Sequence, residues 1–153
     1  MTKSRLNYVE AAPDAMKPMF ALEESLASLS IDAAMRELLK IRASQINGCA
    51  YCLNMHLPAA RKAGVPQSKL DVLAGWRESP AFGTRERAAL TWCEALTRVE
   101  ATGADDHSFE TLAAAFSAQE QVEITLIITT INAWNRIAVG FRSQHPVEAR
   151  DTA

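Results

Sequence analysis

The sequence predicts an all-α fold, and three observations carry that prediction. Apolar residues recur at spacings of three and four, as in Met35, Leu38, Leu39 and Ile41, rather than alternating. Ala, Leu, Glu and Arg are abundant, while Gly and Pro number only 6 each in 153 residues, a balance that favours helix. No segment sustains the period-two run of β-branched residues that would mark a strand.

A first helix is expected from about Asp14 to Leu29, its start blurred by Pro13 and Pro18, since proline is tolerated only in a first turn. Asp32 is placed to cap a second helix that fades near "SQING". A third begins at the cysteines and stops at Gly64, with Pro58 expected to kink it by removing the bond back to Asn54. Pro66 opens a shorter fourth helix through Trp76, and "RESPAFGT" reads as a loop. Thr84 is expected to cap a fifth helix, and Asp105 or Asp106 a sixth that runs to Phe116. "SAQE" has the spacing of a capping box and starts a long last helix to about Phe141. The tail from Ser143 is polar and expected to fray. Six to seven helices in a single domain spanning 1–153 result. "MRELLKIRASQIN" and "QVEITLIITTIN" echo one another weakly, as an old duplication or simply as two amphipathic helices of similar length.

A chain of 153 residues buries a core without help from disulfides or metals. Hydrophobic residues at 48% and charged residues at 22% fit an ordinary soluble protein. A net charge of -2, with basic and acidic residues interleaved, gives no electrostatic reason to expect nucleic acid or an anionic membrane as partner. The first twenty residues hold no apolar stretch of the kind a secretion signal needs. The apolar run Ile124 to Trp134 is too short and too polar to cross a bilayer. A soluble, cytoplasmic protein is therefore expected. Trp76, Phe82, Trp92 and Trp134 are assigned to the core rather than to an interface.

The stretch "NGCAYCLNMH" carries the chemistry. On a helix Cys49, Cys52 and His56 fall at i, i+3 and i+7 and share one face, with Cys52 and His56 one turn apart. The preceding Asn-Gly breaks the chain, so both cysteines stand at a helix start, where free backbone N–H groups and the helix dipole favour a thiolate. A neighbouring imidazole can take the thiol proton. In a reducing compartment such a pair points to redox chemistry or metal binding rather than to a staple. Cys93, in "LTWCEAL", reads as a small core hydrophobe. Zinc is the rival reading. Cys49, Cys52 and His56 supply three ligands, but Cys93, His107 and His145 are isolated in sequence, so no fourth is evident, and no metal or cofactor is expected. The cysteine pair alone does not choose between attack on a peroxide and disulfide exchange with a partner.

The stretch Glu37 to Gly64, "ELLKIRASQINGCAYCLNMHLPAARKAG", resembles the alkylhydroperoxidase D / carboxymuconolactone decarboxylase family through its Glu-x11-Cys-x-x-Cys-x3-His pattern. The segment from Val65 to Leu96 and "INAWNRIAVGF" are similar to the family's later helices. The resemblance implies an all-helical fold assembling as a homotrimer or homohexamer. It implies that Cys52 reacts with a hydroperoxide to give a sulfenic acid, and that Cys49 resolves it to a disulfide and faces the reductant, a thiol or lipoyl-bearing protein. Glu37 and His56 would form the proton relay. Without that resemblance, Glu37 reads as an exposed helix glutamate. Tyr51 stands where the best-studied peroxidases of the family carry a second histidine; a phenol hydrogen-bonds but is no base at neutral pH, so Tyr51 is assigned to the substrate wall. The family's decarboxylase branch usually lacks the cysteine pair and acts on a cyclic lactone acid. That activity, and a non-catalytic thiol switch, are the alternatives to a peroxidase.

Overall fold

The structure, a computed structural model, describes residues 3–147. Among these residues there are nine α-helices and no strand, as the sequence predicts. In chain order they are α1 (Tyr8–Ala11), α2 (Pro13–Ser25), α3 (Ala33–Asn47), α4 (Ala50–Lys62), α5 (Gln67–Asp71), α6 (Thr84–Thr97), α7 (Val99–Thr102), α8 (Asp106–Ala115) and α9 (Ala118–Phe141). Single 3-10 turns lie at Leu26–Ser28 and Leu73–Gly75.

Helix α3 is the centre of the bundle: it packs on α4, α6 and α9, and α6 in turn packs on α8 and α9. The helical spacing of the apolar residues explains why. Leu38, Leu39 and Ile41 of α3, Leu90 of α6, Leu112 of α8, and Ile124, Ile127, Ile128 and Ile131 of α9 are all fully buried. Trp76, Phe82 and Trp92 join this core as expected, whereas Trp134 is only half-buried. At 24 residues α9 is long and apolar enough to cross a membrane by length and composition, which the shorter run Ile124 to Trp134 does not suggest. Here it serves as a core helix, buried along one face against α3 and α6.

The expected caps form where the side chain has the reach. Asp32 accepts from the Met35 N–H at 2.9 Å, and Asp105 from Ser108 at 2.9 Å. Ser117 and Glu120 close a reciprocal capping box. Thr84 does not cap α6. Gly83 occupies that position, and the Glu86 carboxylate accepts its N–H at 2.8 Å, so Thr84 is already inside the helix. The fourth expected helix ends at Asp71 and continues only as the 3-10 turn before Trp76. The first starts at Pro13, continues through Pro18 and gives way to a 3-10 turn at Leu26. Helix α4 likewise continues through Pro58 to Lys62. The one-turn helices α1 and α7 have no counterpart in the sequence pattern, because four residues carry too little periodicity to read. Of the tail, Ser143 to Val147 have no regular secondary structure, and the remainder lies outside the described residues.

The turn at Gly48 sets the position of both cysteines. Gly48 closes α3 in the left-handed region at φ 65°, where a side chain is disfavoured, and the Cys49 N–H returns to the Ser44 carbonyl at 3.0 Å. The chain therefore doubles back from α3 into α4, and the two helices lie side by side. A buried amide cluster holds this corner. Asn47 donates to Asn132 at 3.0 Å and to Asn135 at 2.8 Å, Asn135 donates to Ser44 at 3.0 Å, and Asn132 donates to Thr97 at 3.0 Å. Asn47 and Asn132, the closing residues of the two echoing segments, thus meet one another.

Candidate active site

The Gly48 turn makes Cys49 the N-cap of α4, one residue ahead of the helix proper, with its Sγ accepting the Cys52 N–H at 3.3 Å. Cys52 is then the third helical residue. The two form a disulfide with Cα atoms 5.3 Å apart. Both are buried, Cys49 at 1% and Cys52 at 4% exposure. His56 follows one turn along α4, and its Nδ1 meets the Glu37 Oε2 at 2.8 Å. Glu37 arrives from α3, so the side-by-side packing of α3 and α4 makes this contact possible. Its side chain is only 14% exposed, not solvated. A carboxylate at Nδ1 fixes the proton there and leaves Nε2 as the ring's free nitrogen.

Glu37 does not stand alone. Lys40, one turn along α3 and only 5% exposed, lies 3.9 Å from its other oxygen and donates a hydrogen bond to Glu23 of α2. The second oxygen of Glu23 accepts the Trp134 Nε1–H at 3.1 Å. A partly buried row of polar contacts, Trp134 to Glu23 to Lys40 to Glu37 to His56, thus links α9, α2, α3 and α4.

This row backs a pocket of about 190 Å³ in which Cys52 and His56 both form part of the wall. Its remaining lining is mostly apolar and aromatic: Tyr8 and Phe20 from the N-terminal arm, Tyr51 and Met55 from α4, and Ile131, Trp134 and Ala138 from α9, with Glu23 as the acid among them. Phe20 packs on Trp134 with ring centroids 5.3 Å apart, and Tyr8 on Phe141 at 5.6 Å. Burial and then the neighbouring Tyr51 push the Tyr8 phenol upward, partly offset by a hydrogen bond with Ser143, so it remains a neutral hydrogen-bonding group at the pocket wall.

Of the residues singled out in the sequence, Cys49, Cys52, His56 and Glu37 come together, and Tyr51 forms part of the pocket wall. Cys49 lies behind Cys52 and is not part of that wall. Cys93 is fully buried, its Sγ 3.5 Å from the Leu39 carbonyl, and burial pushes its thiol up to about 12. Among the described residues no three His, Cys, Asp or Glu side chains group as a metal site. Sequence reasoning missed Tyr8, Phe20, Glu23, Lys40 and Trp134. An aromatic in each of α1, α2 and α9 was the only available signal, and it reads equally well as core.

Known proteins share this architecture. Residues 13–95 match the model of the carboxymuconolactone decarboxylase family. The uncharacterized protein YdfG of Bacillus subtilis is 37% identical over 135 residues, covering 88% of this chain and 92% of that one. Among solved structures, a protein of unknown function from Agrobacterium tumefaciens, suggested to be the antioxidant defence protein AhpD, is 49% identical. It superposes with a TM-score of 0.93 over 95% of this chain and 100% of its own. The debrominase Bmp8 shares the fold at a TM-score of 0.83 and 24% identity, over 94% of this chain and 77% of its own.

Proposed function

This chain belongs to the carboxymuconolactone decarboxylase family, and from that premise we propose that it is a thiol peroxidase that reduces hydroperoxides through Cys52 and Cys49. The observation that carries the reading is the Cys49–Cys52 disulfide at a helix start, next to a pocket that also holds a carboxylate-backed histidine.

In the reduced protein His56 takes the Cys52 proton at Nε2, while Glu37 stabilises the resulting imidazolium through Nδ1–H. The Cys52 thiolate attacks the outer oxygen of ROOH, the O–O bond breaks, and the proton held by His56 goes to the departing alkoxide as ROH. Cys52 is left as a sulfenic acid. The Cys49 thiol attacks that sulfur, expels water and forms the disulfide. Two electrons from a dithiol reductant then restore both thiols. The resemblance puts the reductant at Cys49, but Cys49 is buried and outside the pocket wall, so the reductant is proposed to attack the disulfide at Cys52 through the pocket. The helix N-terminus favours the thiolate, and the Cys52 N–H that now bonds the Cys49 sulfur adds to the local positive potential.

The alternative within the family, decarboxylation of a small cyclic acid, has less support. Among the described residues no Lys or Arg lines the pocket to receive a substrate carboxylate, and Lys40 behind it is already shared by two acids. We propose a homotrimer or homohexamer as the working enzyme, for whose contacts exposed apolar side chains such as Phe109 and Val122 are available.

Single-cysteine variants test the assignment. Cys49→Ser treated with a hydroperoxide should accumulate a sulfenic acid at Cys52 that dimedone traps, and Cys52→Ser should give no adduct. An adduct at Cys49 instead, or activity toward a lactone acid that survives loss of both cysteines, would overturn it.

A further inference from the structure

We propose that the pocket selects neutral hydroperoxides bearing about one ring, and that Glu23 is the residue that turns away their anionic counterparts. The proposal rests on the peroxidase reading and narrows its substrate class.

Size is the first observation. An apolar cavity of about 150 Å³ holds a benzene ring, so this open pocket of about 190 Å³ has space for one ring with a small substituent. Its walls suit that occupant. Tyr8, Phe20, Tyr51 and Trp134 supply aromatic surface, and Ile131 and Met55 supply aliphatic surface. Hydrogen peroxide gains nothing from such a surface, whereas a ring held there brings its hydroperoxide beside Cys52.

Charge is the second. Glu23 is the acidic member of the wall, and its two oxygens are occupied by the Trp134 indole N–H and the Lys40 ammonium. Lys40 offers no compensating site, because its single charge is buried between Glu23 and Glu37. A substrate carboxylate entering this pocket would lose its water and face Glu23 at close range, while the one cation formed in the wall, the His56 imidazolium, is already paired with Glu37 and the Cys52 thiolate. Glu23, Glu37 and the Cys52 thiolate, against the Lys40 ammonium and the His56 imidazolium, leave the reactive site with a net negative charge. Phe20 and Glu23 both belong to α2, so the arm that supplies the ring surface also supplies the repulsion.

The test uses pre-reduced protein and three probes: hydrogen peroxide, cumene hydroperoxide, and cumene hydroperoxide carrying a para-carboxylate. Oxidation of the cysteine pair is followed by stopped-flow fluorescence at neutral pH. Cumene hydroperoxide should react about 10- to 100-fold faster than its carboxylate analogue. Glu23→Gln, whose single amide oxygen can keep either the Lys40 or the Trp134 hydrogen bond but removes the charge, should narrow that ratio by about threefold or more. Equal rates for the two organic probes in the unmodified protein would overturn the proposal. A ratio untouched by Glu23→Gln, in protein of unchanged helicity, would overturn the role of Glu23. If none of the three probes, hydrogen peroxide included, oxidises Cys52, the peroxidase reading itself falls, an outcome distinct from lost selectivity.

Discussion

Replacing Glu37 by Gln is the sharpest perturbation of the proposed relay. The amide retains an oxygen for the His56 Nδ1–H but removes the charge that stabilises the imidazolium formed when His56 takes the Cys52 proton. The magnitude comes from the geometry. The contact is 2.8 Å, with side-chain exposures of 12% for His56 and 14% for Glu37. Two unit charges about 4 Å apart attract by about 4 kcal/mol at an effective dielectric near 20. Set against lost hydration, a charge-assisted hydrogen bond of this kind contributes about 1.5–3 kcal/mol. At about 1.4 kcal/mol per decade, proton removal from Cys52 should be disfavoured by about 10- to 150-fold. The assay is the rate of Cys52 alkylation by iodoacetamide across pH in the Cys49→Ser background, with and without Glu37→Gln. The relay predicts slower alkylation near neutral pH and convergence of the two curves at high pH, where hydroxide does the work of His56. Identical pH profiles would refute it, and His56→Ala serves as the limiting case.

Groups outside the pocket give three further expected outcomes. Glu94 accepts from Trp76 at 2.8 Å, from Arg42 at 2.6 Å and from Arg77 at 3.0 Å, so Glu94→Ala should cost about 3–5 kcal/mol in urea unfolding by stranding a half-buried guanidinium. Burial works to raise that carboxyl, but the hydrogen bonds from Trp76, Arg42 and Arg77 outweigh it and hold it below the ordinary carboxylate range. Its stabilisation is therefore fully present above about pH 4.3 and lost as pH falls through its lowered folded value; Glu94→Gln should flatten the acid limb of stability against pH. Cys93, its thiol pushed up to about 12, should stay unmodified by iodoacetamide at neutral pH in the native protein and react once urea exposes it.

The helical plan was legible because its signals are local. Asp32, Asp105 and Ser117 cap helices from their own side chains, and the isoleucines of α9 repeat at helical spacing within a single element. The shared face of Cys49, Cys52 and His56 was equally readable, since it depends on one helix. What the sequence concealed depends on packing between helices. Lys40 reads as a solvated helix residue and is buried because Glu23 and Glu37 close on it from two helices. Asn132 and Asn135 look out of place in an apolar helix until Asn47 and Ser44 meet them across the Gly48 corner. The pocket wall joins Tyr8 and Phe20 to Trp134, residues more than a hundred positions apart, and no period in the chain relates them. Thr84 failed as a cap because Glu86 reaches back to the Gly83 N–H, a competition that only the folded geometry decides.

The most direct measurement is peptide mass mapping of reduced, metal-free protein before and after one equivalent of cumene hydroperoxide. A working peroxidase centre predicts loss of about two mass units within seconds, located at a Cys49–Cys52 bond and reversed by a dithiol, with Cys93 untouched. Thiols that remain unchanged over minutes of exposure would contradict it.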